Sequence, residues 1–164
     1  MSFSTVPTRL QEADSISLYN RLQQDLRAVI EGESDLIANT ANAAALLFWN
    51  LPAVNWAGFY FLNGDQLVLG PFQGKAACVR IKLGRGVCGT AAIRRQTVVV
   101  PNVHEFPGHI ACDIASNSEI VLPILKGGDL IAVLDIDSPA FDRFGETDAR
   151  ELEKFTRILS DAIA

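Results

Sequence analysis

At 164 residues the chain has the length of one domain and can bury a sizeable core without disulfides or a structural metal. Its net charge of −5 and lack of a Lys/Arg cluster argue against a nucleic-acid or anionic-membrane partner. The N-terminus lacks the basic and apolar segments of a secretory signal, and no stretch of about 18 uncharged apolar residues occurs, so we expect a cytosolic protein.

Helical periodicity characterises both ends of the chain, after an expected extended arm at residues 1–13. Apolar residues recur at spacings of three and four over residues 15–30 and predict a helix capped by Asp14 or Ser15. A second helix is expected from residue 34 or 35 through residue 48, because Pro52 cannot continue it. A last helix with one apolar face is expected over residues 146–163.

Between these helices the apolar period changes to two, which predicts β-strands. Trp56 and Tyr60 share one face of the first strand; we interpret both as core, with a pocket wall as the alternative. The expected strands cover residues 54–61, 66–70, 76–83, 97–100, 118–125 and 130–137. The chain order predicts an α+β fold, with a central antiparallel sheet of about six strands, N-terminal helices and a C-terminal helix packed on it, and a short inserted helix.

Residues 84–89 (GRGVCG) match the pattern G-x-G-x-x-G between a predicted strand and the short helix. A dinucleotide site of this type requires a parallel crossover sheet, whereas the surrounding hairpins are expected to be antiparallel. We therefore interpret the glycines as a tight strand-to-helix turn, whose free N–H groups could still hold an anion.

Three carboxylates form the first candidate site. Asp135 and Asp137 are two positions apart on one strand and project from the same face. A three-residue turn at 127–129 would set Glu119 opposite Asp137 and raise at least one pKa, whereas a two-residue turn would separate them. The alternative is that Asp137 caps the turn that follows and Glu119 lies in water at the sheet rim.

The three cysteines are an odd, widely spaced set without a C-x-x-C pair, so we expect no metal site with His104 or His109. Each cysteine could simply be a small buried hydrophobe. Local physics favours Cys88 as a reactive thiol, because a helix N-terminus lowers a thiol pKa. Cys112 is a second candidate in an exposed loop. Both histidines are expected to be solvated loop residues, unless one of them tunes a thiol.

Five segments together carry a resemblance to a known family. The chain strongly resembles the free methionine-(R)-sulfoxide reductases, a family of GAF domains, over nearly its whole length. All three cysteines fall on the family's spacing. The resemblance implies a single GAF domain over residues 1–164. The segments are residues 55–60 (NWAGFY), 69–75 (LGPFQGK), 84–90 (GRGVCGT), 117–124 (NSEIVLPI) and 134–138 (LDIDS).

The resemblance also implies a reaction, the reduction of free L-methionine (R)-S-oxide to methionine, with thioredoxin as the reductant and no cofactor. By position, Cys112 matches the family's nucleophile, against the local argument for Cys88. Cys78 would resolve the sulfenic acid as a disulfide, with Cys88 as the alternative resolving thiol. Glu119, Asp135 and Asp137 match the acidic pocket, and Trp56 and Tyr60 match the apolar wall around the substrate methyl group.

Two other functions fit parts of the sequence. A GAF module could bind a cyclic nucleotide or another small ligand as a sensor, with the cysteines in its core. The same cysteines could also form a thiol redox sensor without a substrate. The domain stands alone in this sequence, which favours an enzyme over a sensory module. A homodimer through the first and last helices is a further expectation.

Overall fold

The fold was determined from a computed structural model, which describes residues 10–110 and 113–164. Four α-helices, six strands and one 3₁₀ turn (Val103–Glu105) make up the described chain. The helices are α1 (Glu12–Val29), α2 (Leu36–Asn50), α3 (Gly86–Arg94) and α4 (Glu146–Ala162). The strands are β1 (Trp56–Asn63), β2 (Gln66–Gly74), β3 (Arg80–Lys82), β4 (Val98–Val100), β5 (Ser118–Lys126) and β6 (Asp129–Ser138).

The strands form one sheet in the order β3-β2-β1-β6-β5-β4, and every neighbouring pair is antiparallel. This arrangement confirms the predicted α+β fold with a six-stranded antiparallel sheet. The antiparallel pairing of the described strands also differs from the parallel crossover sheet that a dinucleotide site of this type would need. The glycine segment instead makes a tight turn into α3, where the Gly84 N–H donates to the Gly89 carbonyl at 2.8 Å.

Two apolar clusters lie on opposite faces of the sheet. On one face, residues of α1, α2 and α4 pack against alternate side chains such as Phe59, Leu134 and Ile136. On the other face, α3 and the segment after β4 cover Trp56, Tyr60 and the remaining alternate positions. Because successive strand residues point to opposite faces, the polar side chains of β5 and β6 can collect under α3 while their neighbours complete the main core.

Some element boundaries differ from those predicted. Helix α1 begins at Glu12, within the expected arm, because acidic residues in the first turn favour the helix N-terminus. The rest of the arm, residues 1–9, lies outside the described residues. The strand predicted over residues 76–83 is only Arg80–Lys82, because the carbonyls of Lys75 and Cys78 accept hydrogen bonds from the Trp56 and Tyr60 side chains.

A buried polar contact fastens α1 to the start of α4. The Tyr19 hydroxyl donates to Asp148 Oδ1 at 2.7 Å, and the same oxygen lies 3.1 Å from Arg143 Nη1. Asp148 also accepts a hydrogen bond from the Gly145 N–H at 2.8 Å and so closes the first turn of α4. Among the described residues, no helix is long and apolar enough to cross a membrane.

Candidate functional site

The pairing of β5 with β6 brings the predicted carboxylates together. Glu119 lies directly opposite Asp137, as the three-residue turn predicted. The turn itself, however, is the two-residue alternative, with Lys126 opposite Asp129 and positive φ at both central glycines. A bulge at Ile131, which has no partner on β5, then shifts the register back by one residue.

The same row continues onto β1 and supplies an apolar wall. Asp137 pairs with Trp56, and the two-residue period places Tyr60 on the same face. The Trp56 ring stacks on Tyr60 at 6.0 Å between centroids and on Phe72 at 5.3 Å. Trp56 and Tyr60 are therefore buried in the core, as expected. They also line the pocket, so the alternative interpretation, a pocket wall, holds as well.

A pocket lies between this sheet face and the N-terminus of α3. The empty space of the pocket, including solvent at its mouth, is about 520 Å³. The pocket is lined by Trp56, Tyr60, Lys75, Ala76, Ala77, Ile81, Arg85, Gly86, Val87, Cys88, His109, Ile110, Asp113, Ser116, Glu119, Asp135 and Asp137.

Burial dominates the electrostatics of the three acids. It raises the pKa of Glu119 well above its usual value, and the charge of Asp137 adds to the effect. Burial and the neighbouring Glu119 raise the pKa of Asp135, which shares a hydrogen bond with Glu119. Burial followed by the charge of Asp135 raises the pKa of Asp137. The expected rise occurs at all three positions, and it favours the protonated form of at least one of these carboxyls.

Asp135 carries a buried oxygen atom whose hydrogen bonding is unmet. The residue is 7% exposed, and its buried Oδ1 atom has no hydrogen-bond partner among the described residues. Ligand atoms of Cys88, Glu119 and Asp135 lie within 4.8 Å of one another, as a metal site would require. Burial raises the pKa of all three groups, however, which favours their protonated forms over metal binding.

Comparison with known proteins agrees with this geometry. A family model described as GAF domain matches residues 25–163. The chain is 53% identical over 146 residues to the free methionine-R-sulfoxide reductase of Escherichia coli (strain K12), which covers 89% of this chain and 88% of that protein. The structure of fRMsr of Staphylococcus aureus in complex with substrate has a TM-score of 0.86 and 49% identity, covering 89% of this chain and 95% of that chain.

A second solved relative is the free methionine-R-sulfoxide reductase of Neisseria meningitidis in complex with its substrate. Its TM-score is 0.87 at 41% identity, covering 99% of this chain and 93% of that chain. The chain belongs to the free methionine-R-sulfoxide reductase family of GAF domains. Membership in this family confirms the resemblance drawn from the five sequence segments.

The cysteines of this family member occupy different environments. Cys88 is buried under α3, and burial followed by the charge of Asp135 raises the pKa of its thiol well above the usual value. The prediction that the helix N-terminus activates Cys88 is therefore wrong, because the neighbouring acids and the lack of water outweigh the helix dipole. Cys78 is half-buried just before β3. Cys112, the predicted nucleophile, lies outside the described residues.

His109 lines the pocket, a position that the sequence did not reveal. Its Nε2 atom lies 3.4 Å from Glu119 Oε2, and its side chain is only 15% exposed. Burial lowers the pKa of His109, so the expectation of a solvated loop residue is wrong there. The chain's other histidine, His104, is exposed and bonds to Asn117 Oδ1 at 2.8 Å, as expected of a loop residue.

A second missed group surrounds Asp113 at the mouth of the pocket. Lys75 Nζ lies 3.5 Å from Asp113 Oδ1, and Asn55 Nδ2 donates to Asp113 Oδ2 at 3.4 Å. The backbone N–H of Ala115 also donates to Asp113, and these contacts lower the pKa of its carboxyl. The mouth therefore carries an ion pair between Lys75 and Asp113, whereas burial favours the protonated form of the acids on the floor.

Proposed function

We propose that this protein reduces free L-methionine (R)-S-oxide to methionine. The observation that carries the proposal is the row formed by Glu119, Asp137 and Trp56 across three adjacent strands. It places buried carboxyl groups, whose raised pKa values favour the protonated form, beside a stacked aromatic wall in one pocket. The substrates named for the Escherichia coli and Neisseria meningitidis relatives fit such a combination of proton donors and apolar surface.

The first step joins a thiolate to an acid. The Cys112 thiol releases its proton to solvent, and its sulfur is oxidised to a sulfenic acid while the substrate sulfur is reduced to a thioether. The substrate S–O bond breaks, an S–O bond to Cys112 forms, and a carboxylic acid gives its proton to that oxygen. The products are methionine and a cysteine sulfenic acid. We prefer Glu119 and Asp137 as the acids nearest the oxygen, because they lie opposite each other in the row.

The third carboxyl group, that of Asp135, fits a role in recognising a free amino acid. The unpartnered Oδ1 atom of Asp135 accepts a hydrogen bond from the substrate ammonium, which a methionine inside a polypeptide lacks. The paired rings of Trp56 and Tyr60 provide an apolar surface for the sulfoxide methyl group. Charge and enclosure together select the free substrate over a peptide.

The sulfenic acid is then resolved by a second thiol. Cys78 attacks it, a disulfide forms and water leaves, after which thioredoxin reduces the disulfide. Cys78 is preferred over Cys88, because burial raises the pKa of the Cys88 thiol and so lowers its thiolate fraction. The cycle uses no cofactor and fits the reducing cytoplasm.

A homodimer through α1 and α4 stays a prediction. Light scattering after size-exclusion chromatography tests it.

The direct test is thioredoxin-coupled NADPH consumption with separated substrates. Wild-type protein receives free R-sulfoxide, free S-sulfoxide or a peptide containing the R epimer, and the Cys112→Ser variant receives the free R epimer. The proposal expects turnover of the free R epimer alone, and none by Cys112→Ser. No turnover of any epimer by folded, reduced protein would contradict the proposal and favour a ligand-sensing module. Oxidation of the cysteines without methionine formation would favour a redox sensor.

A further inference from the structure

The segment that carries His109 is fastened to the site at both of its described ends. The Val103 N–H donates to the Asn117 carbonyl at 3.0 Å, and the buried Val103 side chain packs under α3. At the other end, Ile110 lies over Gly86, where an added Cβ would approach Ile110 Cδ1 to 3.1 Å. His109 is therefore held over the pocket by packing against α3 and by the loop before β5.

His109 contacts one oxygen of one acid. Its Nε2 lies 3.4 Å from Glu119 Oε2, and the side chains are 15% and 7% exposed. Burial favours the neutral forms of both groups, so the 3.4 Å separation sets an imidazole nitrogen against an oxygen of a carboxylic acid. The other titratable or charged side chains lining the pocket are Tyr60, Lys75, Arg85, Cys88, Asp113, Asp135 and Asp137.

The placement has a chemical consequence for Glu119. A carboxyl group can donate a proton to a sulfoxide only while it is protonated, and its protonation here depends mainly on exclusion of water. The imidazole lies against Oε2 within the pocket lining, and Glu119 is only 5% exposed beside it. Removing the ring would admit water to the acid from the mouth of the pocket.

We propose that His109 is a positioning residue for the reduction, which keeps Glu119 protonated and aimed by covering its Oε2 atom at the pocket mouth. The inference rests on the proposed sulfoxide reduction and assigns the imidazole no direct contact with substrate. It distinguishes His109 from His104, whose Nε2 atom bonds to Asn117 Oδ1 at 2.8 Å.

The chain's second histidine provides the matched control. His104 lies on the same segment, is exposed, and does not line the pocket. The variants are His109→Ala, His109→Gln and His104→Gln, each reduced beforehand and mixed once with the free R-sulfoxide. Methionine formed in this single turnover is measured across a pH series, so that recycling by thioredoxin does not limit the rate.

We expect the alkaline limb of the pH–rate profile to lie at lower pH in His109→Ala than in the wild type. The acid of the wild-type protein loses its proton at the alkaline limb, and water admitted to Glu119 moves that limb to lower pH by about one unit. At about pH 8 the rate then falls roughly tenfold, whereas the rates at the acid end agree within about twofold. His109→Gln recovers part of the difference, since its amide can still bond to Oε2, and His104→Gln matches the wild type.

Two results would overturn the inference while leaving the reductase activity intact. One is an unchanged alkaline limb in His109→Ala, whether or not its rate falls uniformly. The other comes from carbon-13 NMR of labelled glutamate, with the Glu119 signal assigned by Glu119→Gln. An identical Glu119 titration in wild type and His109→Ala would contradict the inference even if that variant were inactive. Failure of wild-type protein to form methionine would instead contradict the proposed function.

Discussion

Replacing Asp135 by asparagine should stabilise the protein at alkaline pH. Asp135 is buried, and its carboxyl donates to Glu119 while it accepts from the Cys88 thiol. Asparagine has no proton to lose, and its amide nitrogen can still donate to Glu119, although that nitrogen cannot accept from the Cys88 thiol. The variant therefore removes the titration while it keeps the hydrogen bond to Glu119.

The sign follows from the raised pKa of Asp135. The native state keeps a proton that the unfolded chain releases above about pH 4, so wild-type stability is complete at acid pH and falls as pH rises. The loss approaches about 1.4 kcal/mol for each pH unit over which this difference persists. We expect Asp135→Asn to be more stable by about 2 kcal/mol near pH 8, which corresponds to a Tm increase of roughly 4–8 °C.

Thermal unfolding followed by circular dichroism between about pH 5 and pH 9 measures this effect. The difference in Tm between Asp135→Asn and wild type should grow with pH and nearly vanish at the acid end. Asp25→Asn, on the exposed face of α1, is the matched control and should show no such growth. A Tm difference that is independent of pH, or a variant that is less stable near pH 8, would refute the reasoning.

Three further predictions concern other parts of the structure. Gly89→Ala places a Cβ 2.5 Å from the Lys82 carbonyl, so we expect a loss of about 3 kcal/mol in urea unfolding, and an unchanged midpoint would contradict the tight turn. Tyr19→Phe removes the hydroxyl donor to Asp148 and should cost about 1–2 kcal/mol in the same assay; equal stability would show that the contact is not needed. Ligand binding should slow hydrogen exchange at the amides of His109 and Ile110 as the pocket closes, and equal exchange with and without ligand would exclude closure.

The predicted strand periodicity placed the acids on one face, but the expectation that a two-residue turn would separate Glu119 from Asp137 is wrong. Gly127 and Gly128 adopt positive φ and form the two-residue turn that separates Glu119 from Asp137 in a regular ladder. The bulge at Ile131 cancels that shift. A bulge depends on packing against both faces of the sheet, and a hydrophobic pattern of period two cannot reveal it.

The cysteine and histidine environments show the same limit of local reasoning. Cys88 does lie in the first turn of α3, as predicted, but the acids that raise its pKa come from β5 and β6. His109 follows Pro107 and Gly108 in a segment that has every local mark of an exposed loop. Its contact with Glu119 depends on how that segment folds back over the sheet. Such long-range contacts decide pKa values and are absent from any sequence window.

The central claim is most directly tested by the products of one turnover without reductant. Reduced protein is mixed anaerobically with excess free R-sulfoxide, and methionine and protein are both analysed by mass spectrometry. The account predicts one equivalent of methionine and a protein lighter by two hydrogen atoms, with a disulfide mapped between Cys112 and Cys78. Methionine formed without loss of protein thiols, or no methionine from folded protein, would contradict it.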